Sequence, residues 1–333
     1  MKKEELMIMN TNYERVQKSE GKVLKLLEGL KDWKMIEIPE DIPHGDMPGD
    51  KIEIGDGHKA KAATIFPELI EELKKTVTSN PYERAVLTVC GGSGVGKSEI
   101  ASLLSYMLTN AGIKSYTLSG DNYPHRIPKY NDAERLHLYR EGAIRAMVDA
   151  GEFNKERFDI IKAWQEADDD ANASHVQDNP WFGSYIAGGR AALKNYLGTP
   201  AETDFAEVEN ILKAFKDGAK SIYLKRMGRD ETALWYDEVD FSDTQILIIE
   251  WTHGNSDYYQ GVDIPILLNS TPAETLAHRQ ARNRDGKTDS AFTTTVLEIE
   301  QDELKNQAHK AKIILSKNGE ILSFEAYSKL MNE

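Results

Sequence analysis

Apolar positions along the chain fall into a helical period and a strand period, separated by clear punctuation. Residues 1 to about 35 are charged, and Val23, Leu26, Leu27 and Leu30 recur at helical spacing. Residues 36–58 are rich in Pro, Gly and Asp between short Ile-containing pieces, which predicts short strands and turns. The helical period returns over 65–78 through Phe66, Leu69, Ile70, Leu73 and Val77, and Asn80 and Pro81 close it. This predicts an accessory amino-terminal segment, 1–80, leading into a main domain, 81–333.

The main domain opens with the unbroken run Ala85 to Cys90, the pattern of a parallel strand covered on both faces. A glycine-rich loop follows. Ile100, Leu103, Leu104, Met107, Leu108 and Ala111 then mark an amphipathic helix, with Gly112 placed to end it. Ile113 to Ser119 reads as a second strand. Residues 132–150 read as a helix capped by Asn131 and Glu134. Residues 152–200 hold an acidic run, Glu166 to Asp170, the piece Asn179-Pro180-Trp181-Phe182-Gly183 and a helical stretch near 186–197, which predicts a helical insertion. Beyond it come a helix through Phe205, Val208, Ile211, Leu212 and Phe215, and strands at Ile246–Ile249 and Ile264–Leu268. A helix start follows at Thr271-Pro272-Ala273-Glu274, then a late strand at Ile313–Leu315. Strands alternating with helices predict a parallel α/β sheet.

Composition narrows the function. The chain has 333 residues, 40% hydrophobic and 29% charged, as soluble globular proteins do. Its one cysteine, Cys90, excludes an intramolecular disulfide and a multi-cysteine zinc site and reads as a small core residue. Asp plus Glu is 55 against 41 for Lys plus Arg, a net charge of −14, so neither nucleic acid nor an anionic membrane is expected as a partner. No signal-peptide pattern and no apolar run of membrane length is present, which predicts a cytoplasmic protein. Homo-oligomer formation stays open.

Gly91-Gly92-Ser93-Gly94-Val95-Gly96-Lys97-Ser98 matches G-x-x-x-x-G-K-[ST], the Walker A motif, between a buried-type strand and a helix. Its glycines let backbone N–H groups turn inward onto one anion, and the next helix adds its positive end. Lys97 is placed to reach β- and γ-phosphates, and Ser98 to offer its hydroxyl to Mg²⁺. The motif predicts ATP as ligand with Mg²⁺ as cofactor. Past the second strand lies Gly120-Asp121-Asn122-Tyr123-Pro124-His125-Arg126, at the carboxyl edge where open parallel sheets bind ligands. Asp121 there is either a base for an acceptor hydroxyl or a turn-former beside Gly120. Tyr123, His125 and Arg126 are candidates to shape the acceptor pocket.

Strand, G-x-x-x-x-G-K-S, helix, strand and Gly-Asp-x-(aromatic), in that order, resembles the phosphoribulokinase/uridine kinase family of P-loop kinases. The resemblance resumes over Thr203–Lys216, Tyr236–Glu250 and Asn269–Leu304, about half the chain. It implies a P-loop NTPase fold and transfer of the ATP γ-phosphoryl to a small-molecule hydroxyl on a nucleoside, sugar, sugar phosphate or similar metabolite. It also implies Asp121 as catalytic base, Glu250 as the acid that helps hold Mg²⁺, and Arg279, Arg282 and Arg284 as lid arginines. Trp251 stands where the family often has Gly, and the loop then continues through Thr252-His253-Gly254, with His253 a further acceptor contact or a structural hydrogen-bonder. An adenylyl-sulfate-type kinase and a non-catalytic nucleotide-binding protein are the alternatives. A GTPase is disfavoured. Its D-x-x-G occurs only at Asp46–Gly49, before the loop, and Asn154-Lys155-Glu156-Arg157 lacks the final Asp of N-K-x-D.

Overall fold

The computed structural model describes residues 13–49, 51–270, 274 and 290–332. Five parallel strands form its centre: β1 (Ala85–Gly91), β2 (Ser115–Ser119), β5 (Ile246–Glu250), β6 (Ile264–Leu268) and β7 (Ile313–Leu315). The short β8 (Ile321–Leu322) adds antiparallel to β7, and the spatial order is β2-β5-β1-β6-β7-β8. β1 and β5 are buried along their whole length, which is why they read as unbroken apolar runs.

Alternate strand residues serve opposite faces. Ala85, Leu87, Ile246 and Ile248 pack with α1 (Lys22–Glu28), α2 (Asp56–Val77) and α3 (Lys97–Asn110) on one side. Val86, Leu247 and Ile249 pack on the other against α7 (Phe205–Lys216) through Val208 and Phe215. The amino-terminal segment therefore shares the main core: Leu27 of α1 and Phe66 and Leu69 of α2 are fully buried in it. Glu83 ties α1 down, since its carboxylate accepts the free amides of Val23 and Leu24 at 3.1 and 3.2 Å. The strands expected within 36–58 are not formed among the described residues; Pro39, Pro43 and Pro48 remove backbone donors, and the segment runs as an irregular strap.

The insertion is helical. α4 (Pro128–Asp149), α5 (Lys155–Glu166) and α6 (Phe182–Lys194) gather a separate apolar cluster around Tyr139, Met147, Phe182 and Tyr185, joined by Val296 and Ile299 of α8 (Ala291–Gln307). α4 begins at Pro128, earlier than expected, because proline suits the first helical position. Asn131 therefore lies inside the helix, where its amide donates to Glu202 at 2.8 Å instead of capping. The antiparallel hairpin of β3 (Ser221–Met227) and β4 (Leu234–Asp240) has no counterpart in the strands read from the sequence. α9 (Phe324–Leu330) closes the chain against β8. The helix start at Thr271 lies outside the described residues.

Small residues let α4 and α6 touch closely. A Cβ on Gly188 would stand 2.3 Å from Ala146 Cβ and 2.7 Å from the Gly142 carbonyl oxygen, whereas one on Gly183 would meet nothing within 4 Å. Gly188→Val should cost at least about 2 kcal/mol by overpacking. Gly183→Ala should be neutral or slightly stabilising. Urea unfolding of both variants checks the pair, and equal stabilities would show that the seam is not tight.

Candidate active site

Three neighbouring strands, β2, β5 and β1, end at one place. β1 runs into the loop Gly92–Gly96, which leads into α3; Gly94 and Gly96 sit at φ 78° and 95°, conformations that side-chain-bearing residues rarely adopt. Gly96 is constrained a second way, because a Cβ there would come within 3.0 Å of the His58 ring at the start of α2. Lys97 Nζ donates back across the loop to the Gly92 carbonyl at 3.2 Å. Ser98, in the first turn of α3, donates its hydroxyl to Glu250 Oε2 at 2.8 Å. Ser119, the last residue of β2, donates to Glu250 Oε1 at 3.0 Å. One buried carboxylate thus joins the loop helix, β2 and β5.

Asp121 follows at the exposed turn just beyond β2. Burial raises the Glu250 pKa, the charge of Asp121 raises it further, and Lys97 with the Ser98 and Ser119 hydroxyls works against both. These two acids are close enough to feel each other. Gly120 is required here: a Cβ would fall 2.1 Å from the indole of Trp251. Trp251 is itself buried, its amide donating to the Val89 carbonyl at 3.1 Å. Trp251 and Gly120 are complementary, a large residue facing a missing side chain.

The other sequence-predicted residues separate. Tyr123 is fully buried in the apolar cluster around Phe205 and Trp251, so its ring supports the turn from beneath and does not line a pocket; burial is also what holds its hydroxyl pKa high. His125 is exposed, with Nε2 3.0 Å from the Pro200 carbonyl oxygen. Arg126 donates to the Tyr196 hydroxyl at 3.0 Å and to Glu134 at 3.4 Å. His253 stands 3.7 Å from Glu303 of α8. Arg279, Arg282 and Arg284 lie outside the described residues. Cys90 is fully buried at the end of β1, where burial pushes its thiol up to about 12.

Several groups around the turn carry no motif. Glu202, 1% exposed, accepts from Arg135 Nε at 2.6 Å, Asn131 Nδ2 at 2.8 Å and the Gly198 amide at 2.7 Å. Glu300 of α8 interacts electrostatically with Arg135, Lys97, Glu202 and Asp121, and burial holds its pKa above the ordinary carboxyl value. Burial, then Glu300 and Glu202, push Glu303 up to about 8, while burial drives His253 down to about 4 against the pull of Glu202. Both members of the His253–Glu303 contact are therefore neutral near pH 7. Asp46 of the strap also reaches this edge, bonding the Ser119 amide at 2.7 Å and Asn122 Nδ2 at 3.1 Å. No spacing rule marks any of these, since each is brought in from a distant element.

Ser98 and Glu250 present hard oxygen donors at one point beside Lys97, which suits Mg²⁺, an ion that takes few protein ligands and completes its shell with phosphate and water. Among the described residues no group of three or more His, Cys, Asp or Glu side chains could hold a metal, and no helix is long and apolar enough to cross a membrane.

The parallel sheet, its strand order and the glycine loop between β1 and α3 define a P-loop NTPase fold. Comparisons with known proteins give likenesses to several kinases. The adenylylsulphate kinase family matches residues 83–149, from β1 through α4. The bifunctional alpha-galactosidase/sucrose kinase of Mediterraneibacter gnavus is 36% identical over 253 residues, 76% of this chain but 22% of that protein. The adenylyl-sulfate kinase of Erwinia tasmaniensis is 42% identical over 75 residues, 21% of this chain and 37% of that protein. The chain thus spans only a minor part of the length of these relatives. Among solved structures, D-glycerate 3-kinase from Cryptococcus neoformans aligns at 11% identity and TM-score 0.44, covering 81% of this chain and 98% of that one. A possible uridine kinase from Bacillus stearothermophilus aligns at 14% identity and TM-score 0.39, covering 74% of this chain and 98% of that one.

The His253 shift has a pH consequence. The unfolded imidazole takes up its proton near 6.5 and the folded one only near 4, so the unfolded state binds more protons between those values. Stability should fall as pH drops from about 6.5 to about 4, and His253→Gln should fall less over that window, with no further divergence below it. Urea unfolding of both proteins at several pH values checks this, and parallel curves across the window would refute the buried neutral imidazole.

Proposed function

We propose that this chain is an ATP-dependent kinase that transfers the γ-phosphoryl group to a hydroxyl of an uncharged saccharide. The reading is carried by the convergence of Ser98, Glu250 and Ser119, which sets the phosphate loop, the β5 acid and the Asp121 turn around one point. The loop amides and Lys97 bind the β- and γ-phosphates. Asp121 accepts the proton of the attacking hydroxyl and orients its oxygen toward phosphorus. Lys97 offsets the charge of the transferring group, and Arg279, Arg282 and Arg284 are proposed to close over it. Mg²⁺, held beside Ser98 and Glu250, would neutralise phosphate charge as the bond to the leaving group breaks.

The acceptor class rests on two supports. The relative that resembles three-quarters of this chain is called a sucrose kinase. Glu300 and Glu303 of α8 are within electrostatic reach of one another, and Glu300 also of Asp121 and Lys97. Carboxyl groups, ionised or protonated, hydrogen-bond sugar hydroxyls and offer a second phosphate no positive charge. His125 and Arg126, on the rim, are proposed to bound the pocket, and His253 to line it. A second reading, an adenylyl-sulfate kinase, is favoured by the family match over 83–149. That stretch holds the phosphate loop and the Asp121 turn, which both readings share. Adenylyl sulfate is anionic, and these acids offer it no positive charge.

ADP release should be measured with mono- and disaccharides, sugar phosphates, nucleosides, small hydroxy acids and adenylyl sulfate. We expect turnover with a neutral saccharide; turnover with adenylyl sulfate alone would replace this reading with the second. Lys97→Ala should abolish transfer, by about 10³-fold or more. Asp121→Asn should keep ATP affinity within about twofold while lowering kcat by about 10²–10⁴-fold. Full turnover in Asp121→Asn with the true acceptor would remove the base assignment.

A further inference from the structure

The strap before α2 carries the best-connected polar side chain at the site. Asp46 Oδ1 accepts the Ser119 amide at 2.7 Å and Asn122 Nδ2 at 3.1 Å. Its Oδ2 accepts the Tyr116 hydroxyl at 2.9 Å and Arg226 NH1 at 2.9 Å. Both members of the Asp46–Arg226 pair are almost wholly buried, with side chains 9% and 7% exposed. Arg226 also donates to Asp237 across the hairpin at 3.0 Å and to the Tyr116 hydroxyl at 2.9 Å. Asn122, in turn, accepts the Met227 amide at 2.9 Å. Asp46 therefore links the strap to two pieces distant in sequence: the end of β2 with the turn that follows it, and the β3–β4 hairpin.

The location is specific. β2 is the outer strand of the sheet, so Asp46 takes up an edge amide that no strand partners. Ser119 and Asn122, its two turn contacts, flank Gly120 and Asp121. Gly45 presses on the same ground: a Cβ there would lie 3.5 Å from Thr117 and 4.0 Å from the Glu250 side chain. The strap rests on the acid of β5 and grips the turn of the proposed base. A buried pair on the far side of the protein could be stabilising alone, but this one is anchored on both sides of the reacting carboxylate.

We propose that Asp46 is a positioning residue that fixes the Ser119–Asn122 turn, and with it Asp121, in the orientation needed to receive the acceptor proton. The inference rests on Asp121 being the base. Burial holds the Asp46 pKa above its ordinary value against the pull of Arg226, the Ser119 amide and the Tyr116 hydroxyl, while all four bonds at its oxygens are ones those oxygens accept. Asp46→Ala removes all four bonds. Arg226→Met removes the hairpin anchor and leaves the two turn bonds in place. If the pair is only a structural brace, the two variants should lose stability alike and keep kcat. If Asp46 positions the turn, they should part.

The test compares wild type, Asp46→Ala, Asp46→Leu and Arg226→Met, each shown folded by circular dichroism and thermal melting. For Asp46→Ala we expect kcat to fall about 10²-fold, the loss that a displacement of order 1 Å can bring, with ATP affinity within about threefold. Arg226→Met should lose far less turnover. Amide hydrogen exchange supplies a readout that needs no acceptor: protection at Ser119, whose backbone N–H donates to Asp46, should drop in Asp46→Ala and persist in Arg226→Met. Unchanged kcat in a folded Asp46 variant, or unchanged protection at Ser119, would overturn the proposal. Should Asp46→Ala fail to fold, Asp46→Leu, which also removes both acceptor oxygens, carries the same comparison. Absence of acceptor-dependent turnover in wild type would instead remove the kinase reading, leaving amide exchange to decide whether Asp46 holds the turn.

Discussion

A single buried carboxylate organises this molecule. Glu250 sits where β5 leaves the sheet, and its two oxygens receive hydroxyls from opposite sides, Ser98 of the loop helix and Ser119 of β2. Removing a carboxylate from water is costly unless its lone pairs are satisfied. Here satisfaction comes from the two elements that must be brought together for the site to exist. The strand order β2-β5-β1 makes this geometry unavoidable, because β5 lies between the strand that feeds the phosphate loop and the strand that feeds the Asp121 turn.

The division of labour follows from the topology. One short stretch of the chain, β1 through α4, supplies the phosphate loop and the turn, and it is the stretch that matches the adenylylsulphate kinase family. The other contributions arrive from outside: Glu202 after α6, His253 after β5, Glu300 and Glu303 from α8. In the proposed reading, acceptor recognition rests on elements packed near α4 and α6, whose tight seam gives them a stiff backing. Fold and nucleotide site can be shared widely while the acceptor wall varies.

What could be read along the chain has a physical boundary. The buried strands at 85–91, 246–250 and 264–268, the amphipathic helices and the glycine loop are all visible because each is encoded by neighbours within one or two turns. The hairpin at 221–240 escaped because its outer strand is exposed and charged, so no apolar alternation marks it. Asn131 looked like a cap and instead bonds Glu202, a partner 71 positions away. Tyr123 has the composition of a pocket residue, and only the packing of Phe205 and Trp251 around it shows that it belongs to the core. Asp46 lay in a Pro- and Gly-rich stretch that reads as loop, and its meaning depends wholly on Arg226.

That last pairing bears on how the chain comes to be made. Asp46 and Arg226 are separated by 180 positions. At ordinary ribosomal speed, about 5–20 residues per second, the aspartate emerges roughly 10–40 seconds before its arginine. Through that interval the strap has no cation to meet, and the edge of β2 has no lasting cover. Any nascent protein that acquires its phosphate loop early would still lack a finished reaction centre until the hairpin has left the exit tunnel.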